Sequence, residues 1–268
     1  MRVIGWIAVS VFKESVRDKV LYNLVFFAVL LIAVSYLLGQ LTAGQDVKII
    51  KDLGLAAMSI FGLFIAVFIG IGLVSKEVER RSIYSLLSKP ILRQQFVVGK
   101  YLGLALTLLV NVSVMTAAYY AVLGGMAWSA GGWLLPGWDR PAVDPMLLAA
   151  VAMIVLQLLI VTALALLFST FSTPMLSAAL TFGLYVVGHF NADLQHFETV
   201  VDSKPVAWLA RALYYVLPNL APFDIKAQVV HGQAVPAGFL LLNAAYAVLY
   251  ISLLLVAATA IFLRRDFK

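Results

Sequence analysis

The chain has 268 residues, of which 63% are hydrophobic and 12% charged, with a mean hydropathy of +1.00. A soluble domain carries about a quarter charged residues, so too little polar surface is present to clothe a water-soluble core. Cysteine is absent, which excludes disulfides, thiolate metal sites and cysteine nucleophiles; on so apolar a chain the net charge of +6 reads as loop charge orienting membrane spans, not as a nucleic-acid footprint.

In chain order, residues 1–19 come first. Val3, Ile4, Ile7, Val11 and Val16 recur at near-helical spacing, while Arg2, Lys13, Glu14, Arg17 and Asp18 take the other side. No small-residue cleavage site followed by a soluble domain is present, so the segment reads as an amphipathic helix in the membrane surface, not a signal peptide. Six runs then approach the length needed to cross roughly 30 Å of hydrocarbon: residues 20–40, 53–75, 101–123, 146–168, 175–190 and 238–263. The fifth is short. None contains Asp, Glu, Lys or Arg, and their polar content includes Asn111, Gln157, Asn243 and scattered Ser and Thr. Asn111 and Gln157 are suited either to bonding between helices or to facing the interior. Gly62, Gly70 and Gly72 predict close helix approach in span two. The expected fold is an all-α membrane protein with six transmembrane helices, residues 1–268 forming a single domain.

Residues 1–19, 76–100 and 264–268 hold thirteen lysines and arginines; the opposite loops hold six, namely Lys48, Lys51, Arg140, Lys204, Arg211 and Lys226. The positive-inside rule therefore puts both termini in the cytoplasm. On the outer side, residues 124–145 carry Trp128, Trp133 and Trp138 among Gly and Pro, as expected of chain at the headgroups. Residues 191–237 form the longest connection. Within it, residues 206–217 read as a short amphipathic helix stopped by Pro218, which either dips into the outer leaflet before span six or caps the outer face. His189, His196 and His231, with Asp193 and Glu198, match no compact ligand spacing, and no metal site is expected.

The charged loop between spans two and three is the most informative stretch. A helix is expected from Lys76 to Leu87, with Glu77 three and four residues before Arg80 and Arg81, and Val78, Ile83, Leu86 and Leu87 on its apolar side. Pro90 ends it. Gly99-Lys100 does not make a phosphate-binding loop, because Tyr101 follows it and Gln94 occupies the first-glycine position. No nucleophile elbow or dinucleotide fingerprint is present either, so no catalytic, cofactor or metal residues are assigned.

These residues carry a resemblance. The acidic-basic run followed by Leu86-Leu87-Ser88-Lys89-Pro90-Ile91, Arg93 and Gly99-Lys100 resembles the signature of the type-2 ABC exporter permeases. Phe168-Ser169-Thr170-Phe171-Ser172-Thr173 and the terminal Leu263-Arg264-Arg265-Asp266-Phe267 add to it, so it covers essentially the whole chain. It implies a permease in a bacterial-type inner membrane, working as a dimer with a second permease copy. Each copy would dock a separate ABC ATPase subunit, on which ATP and Mg reside. The region 76–93 would be the coupling helix, with Glu77, Glu79, Arg80, Arg81 and Tyr84 as contacts and Pro90 and Arg93 setting the turn into span three. Ser169 and Ser172 belong to a second, smaller contact, and spans one, two and five would line the route. Residues 216–224 look like the branch linked to copper-enzyme maturation, which implies a periplasmic accessory protein. The rival class, an ion-coupled carrier without an ATPase, usually places ionisable groups at membrane depth, and the six runs hold no Asp, Glu, Lys or Arg.

Overall fold

The computed structural model describes residues 2–40, 46–79, 92–129, 142–190, 214 and 217–264. The described residues form eight α-helices and one 3-10 turn. They are α1 (Arg2–Ser15), α2 (Lys19–Gln40), α3 (Asp46–Glu79), α4 (Arg93–Ser129), α5 (Met146–Ser169), α6 (Pro174–His189), the turn Ala221–Phe223, α7 (Lys226–Val230) and α8 (Ala237–Arg264). The all-α expectation is met. Five helices, α2, α3, α4, α5 and α8, are long and apolar enough to cross a membrane, and α6 is a shorter apolar helix of 16 residues. The expected helix at residues 206–217 lies almost wholly outside the described residues, as do Trp133 and Trp138.

Two helices are longer than hydropathy alone indicates. α3 runs without a break across Ser75 and Lys76, where a new helix was expected to start, because no Pro or Gly follows Gly72 before Glu79. α4 takes in both Gly99-Lys100 and the stretch from Gly124 to Ser129, which were expected to lie in or beside loops. Lys51 and Lys100, counted above as loop charges, are consequently helical and only 1% and 2% exposed. The α6 start follows local rules: Pro174 occupies its first turn and Thr173 before it is extended, with ψ 157°.

α3, α4 and α5 touch one another and form the core. Each remaining long helix sits against two of them: α2 against α3 and α4, α6 against α3 and α5, and α8 against α4 and α5. α5 is apolar on every side, as suits a helix surrounded by protein, and Ile154, Leu158, Ile160, Val161 and Ala163 are all buried. The outer faces of α2 and α8 stay uncovered, with Phe26, Leu37, Leu242, Leu249 and Val256 exposed as lipid-facing side chains would be.

Small residues set the closest approaches. A methyl group at Gly70 would lie 2.6 Å from Cβ of Ala165, so α3 and α5 meet there almost backbone to backbone. Gly62 faces the movable end of Leu158, whereas nothing lies within 4 Å of Gly72. Of Gly62, Gly70 and Gly72, Gly70 is thus the one that sets a rigid contact. α1 uses the same device on α4: a Cβ at Gly103 would meet the carbonyl oxygen of Ala8 and Cβ of Val11, both at 2.6 Å. The expected apolar stripe of α1 therefore covers α4 through Ile7 and Val11, and Trp6, 77% exposed, lies on its open side.

Candidate functional site

Sequence reasoning placed the working residues at the end of the bundle where α3 finishes, α4 begins and α5 turns into α6. Gly70 lies level with Ala165, so the two helix ends can be compared. From there α3 continues nine residues to Glu79 and α5 only four to Ser169. At 1.5 Å per residue α3 projects roughly 8 Å further than α5. Glu77 and Glu79 lie in this projecting part, and Arg93 is the first residue of α4. Arg80, Arg81, Tyr84 and Pro90 lie outside the described residues.

The turn between α5 and α6 is described in full. Ser169 and Thr170 are buried, and their hydroxyls donate to the carbonyls of Leu166 at 2.7 Å and Leu167 at 2.6 Å. The Ser172 N–H donates to the Phe168 carbonyl at 2.9 Å, closing the turn. Ser169 therefore shapes the turn from within. Its outward surface is Phe171, 48% exposed, with half-buried Ser172 and exposed Thr173. Phe171 lies inside the 169–173 loop that the resemblance implies as the smaller contact, and the structure makes it that loop's exposed aromatic.

Two helices connect this end to the body of the bundle through α4. Phe96 stacks on Phe262 of α8 with ring centroids 5.8 Å apart, and the buried Lys100 ammonium lies 4.8 Å from the centre of the Phe96 ring. Tyr101 donates to the Leu159 carbonyl of α5 at 3.3 Å. At the far end of α4, Tyr119 donates to the Lys51 carbonyl and Tyr120 to the Asp144 carbonyl, both at 3.1 Å. Asp144 also accepts the Met146 N–H at 2.9 Å, at the start of α5. These tyrosines join helices by hydrogen bonds that a count of apolar residues hides.

The opposite end holds a second arrangement. His189, the last residue of α6, lies 2.8 Å from the side-chain nitrogen of Gln157 in α5, Nε2 to Nε2. Gln157 is eleven residues from the start of α5, so α6 stops roughly 16 Å short of that helix end. The described chain from Leu217 onward returns into this gap. The Leu220 N–H donates to the Gly188 carbonyl at 2.9 Å, and the Asn219 N–H donates to the Tyr246 hydroxyl of α8 at 2.9 Å. Leu220, Phe223, Ile225, Val229 and Val230 are buried, and α7 touches α3 and α5. Gly232, with φ 72°, turns the chain after α7. Irregular backbone at this level is covered by protein, which is the condition for tolerating it inside a membrane.

Asn111 and Asn243 bond within their own helices, donating to the Thr107 carbonyl at 2.7 Å and to the Phe239 carbonyl at 2.9 Å. Gln157 instead joins two helices. Among the described residues no group of three or more His, Cys, Asp or Glu gathers as metal ligands would. His231 turns to its own helix, its Nδ1 2.8 Å from the Ala227 carbonyl.

Residues 6–267 match the family of ABC-2 family transporter proteins, so the chain belongs to that family and is a multi-pass membrane permease. No curated protein matches it.

Proposed function

We propose that this ABC-2 family transporter protein is the membrane-spanning half of an ATP-driven exporter, dimeric and dependent on a separate ABC ATPase subunit. Family membership implies an ATPase partner in general, and the chain's one Gly-Lys pair lacks the phosphate-binding pattern. The observation that carries the reading is the projecting end of α3. It takes Glu77 and Glu79 beyond the neighbouring turn and leads directly into the charged residues 80–91. A soluble subunit seated there would contact Glu77, Glu79, Arg80, Arg81 and Tyr84, and would reach Phe171 and Ser172 as the smaller contact. Because α3 meets α5 at Gly70 with no room between them, displacement of the loop would move both helices together.

In this reading α6 is the fifth of six spans, completed toward the outer surface by the returning segment, and both termini face the cytoplasm of a bacterial-type inner membrane. The second copy packs on the face made by α2, α3 and α6. α2 and α6 both touch α3, and α3 exposes Ile60 and Phe68. Spans one, two and five would then line the route, as the resemblance implies.

Co-purification from native membranes tests the proposal, followed by ATPase measurement on wild type and on Glu77→Ala and Arg81→Ala variants. A stoichiometric ATPase that is lost or uncoupled in the variants supports it. Recovery of folded protein with no ATPase under gentle solubilisation refutes it and favours a carrier without an ATPase.

A further inference from the structure

We propose that the groove between α4 and α8 holds an anionic phospholipid, with one acyl chain lying along the groove and the phosphate at its mouth, where Arg93 and Arg264 stand. The groove has a volume of about 460 Å³, and its lining includes Gln94 and Val98 of α4 and Ser252, Val256, Thr259 and Leu263 of α8. Small-ligand sites usually enclose roughly 300–1,000 Å³. The polar part of this lining offers a ligand little. The Thr259 hydroxyl donates to the Leu255 carbonyl and the Ser252 hydroxyl to the Val248 carbonyl, both at 2.7 Å, so each hydroxyl proton is spent within α8. Gln94, the third polar side chain, is exposed at the mouth. The interior therefore suits hydrocarbon.

Depth sets the length of the occupant. From Ser252 to Leu263 α8 rises roughly 16 Å at 1.5 Å per residue. A hydrocarbon core is roughly 30 Å thick, so the groove is one leaflet long. A partner helix would cross both leaflets, whereas the groove ends about halfway along α8.

The mouth is cationic. Phe96 stacks on Phe262, which sets the first turn of α4 level with the last turn of α8. At either edge an arginine follows the lining outward: Arg93 precedes Gln94 and opens α4, and Arg264 follows Leu263 and closes α8. Residues 264–268 carry Arg264, Arg265 and Lys268 against Asp266 alone. Two turns further along α4, the Lys100 ammonium lies 4.8 Å from the centre of the Phe96 ring. Positive charge at headgroup level attracts anionic lipid, while the added ammonium of a zwitterionic headgroup opposes it. By bridging the start of α4 to the end of α8, the lipid braces the helix that follows the charged residues 80–91. The leaflet is the cytoplasmic one in the orientation proposed above. Binding itself requires neither the ATPase nor the second copy, so the two readings fail separately.

The test is native mass spectrometry of the full chain, delipidated in detergent and titrated with phosphatidylglycerol or with phosphatidylcholine of the same acyl chains. The first phosphatidylglycerol should bind more tightly than the first phosphatidylcholine. Arg93→Gln and Arg264→Gln should each lower that affinity ratio about fivefold. Ala260→Trp, which fills the groove from an exposed position in its lining, should abolish first-site binding of both lipids. Leu253→Trp, exposed outside the groove, should leave it intact. Equal affinity for the two lipids, a ratio that neither arginine variant changes, or wild-type binding in Ala260→Trp would each overturn the proposal. If Ala260→Trp does not fold, an unchanged ratio in the arginine variants overturns it alone. In native membranes a photoreactive residue placed at Val256 should cross-link to lipid. A cross-link to a second copy or to another protein would give the groove a protein occupant and overturn the proposal as well.

Discussion

Replacing Gly70 and Gly72 separately by alanine distinguishes a rigid helix contact from an ordinary helical glycine, in one helix and two residues apart. At Gly70 the new methyl would sit 2.6 Å from Cβ of Ala165 and 3.5 Å from the Thr162 carbonyl oxygen. Carbon atoms prefer roughly 3.5–4.0 Å, so α3 and α5 must part by about 1 Å. Overpacking of this kind costs about 1–3 kcal/mol. Both substitutions also gain about 1 kcal/mol of helix propensity. At Gly72 that gain stands alone, since nothing lies within 4 Å. The gain cancels between the two, so the variants should differ by about 1–3 kcal/mol, with Gly72→Ala more stable than wild type. Thermal unfolding in nanodiscs should separate their midpoints by several degrees. Equal midpoints, or a less stable Gly72→Ala, would refute the rigid α3–α5 contact and with it the joint movement of the two helices.

Further outcomes follow from other contacts. Gly103→Ala should destabilise the protein by about 1–3 kcal/mol by forcing α1 off α4, while Gly5→Ala, which meets nothing within 4 Å, should not; thermal melts decide both. Tyr119→Phe removes the hydrogen bond to the Lys51 carbonyl and should cost about 1 kcal/mol in the same assay. Lys226→Ala should change stability by less than about 0.5 kcal/mol, because the Asp224 partner is 40% exposed and such pairs contribute little.

Hydropathy located α2, α5 and α8 to within one residue at each end, since a run such as 146–168 has no other way to bury its backbone. It failed where a helix continues through polar sequence. Lys76, Glu77 and Glu79 are good helix formers, and nothing but charge suggested a boundary at Ser75. Counting charges also put Lys51 and Lys100 in loops, because the long stems of lysine allow burial that a count cannot register. The α1 stripe was legible as a pattern, yet its partner was not: Ile7 and Val11 satisfy the same periodicity against α4 as against lipid. The Ser169 position was visible from the resemblance, while its inward hydroxyl depends on how the turn closes. Pairing of His189 with Gln157, 32 residues apart, needed the level at which α6 stops. That level is set by the returning segment and leaves no periodic trace.

The returning segment gives the proposed mechanism a second consequence. Loop displacement at the α3 end reaches the outer side only if residues 217–230 move with the helices they touch. Their attachment to α6 runs through Gly188, where an added Cβ would meet the Pro218 carbonyl oxygen and the Leu220 side chain, each at 2.9 Å. Gly188→Ala should therefore lift the segment without altering the α3 end or the 169–173 turn. The chain has no cysteine, so Val229→Cys, at a position 1% exposed, supplies a single reporter. In proteoliposomes with the proposed ATPase partner, Gly188→Ala should raise labelling of that cysteine by a membrane-impermeant maleimide several-fold. ATP hydrolysis should persist, because the proposed docking surface is untouched. Unchanged labelling would mean that the segment is held independently of α6. Loss of hydrolysis together with increased labelling would mean that the outer segment is required for turnover of ATP and does not simply follow it.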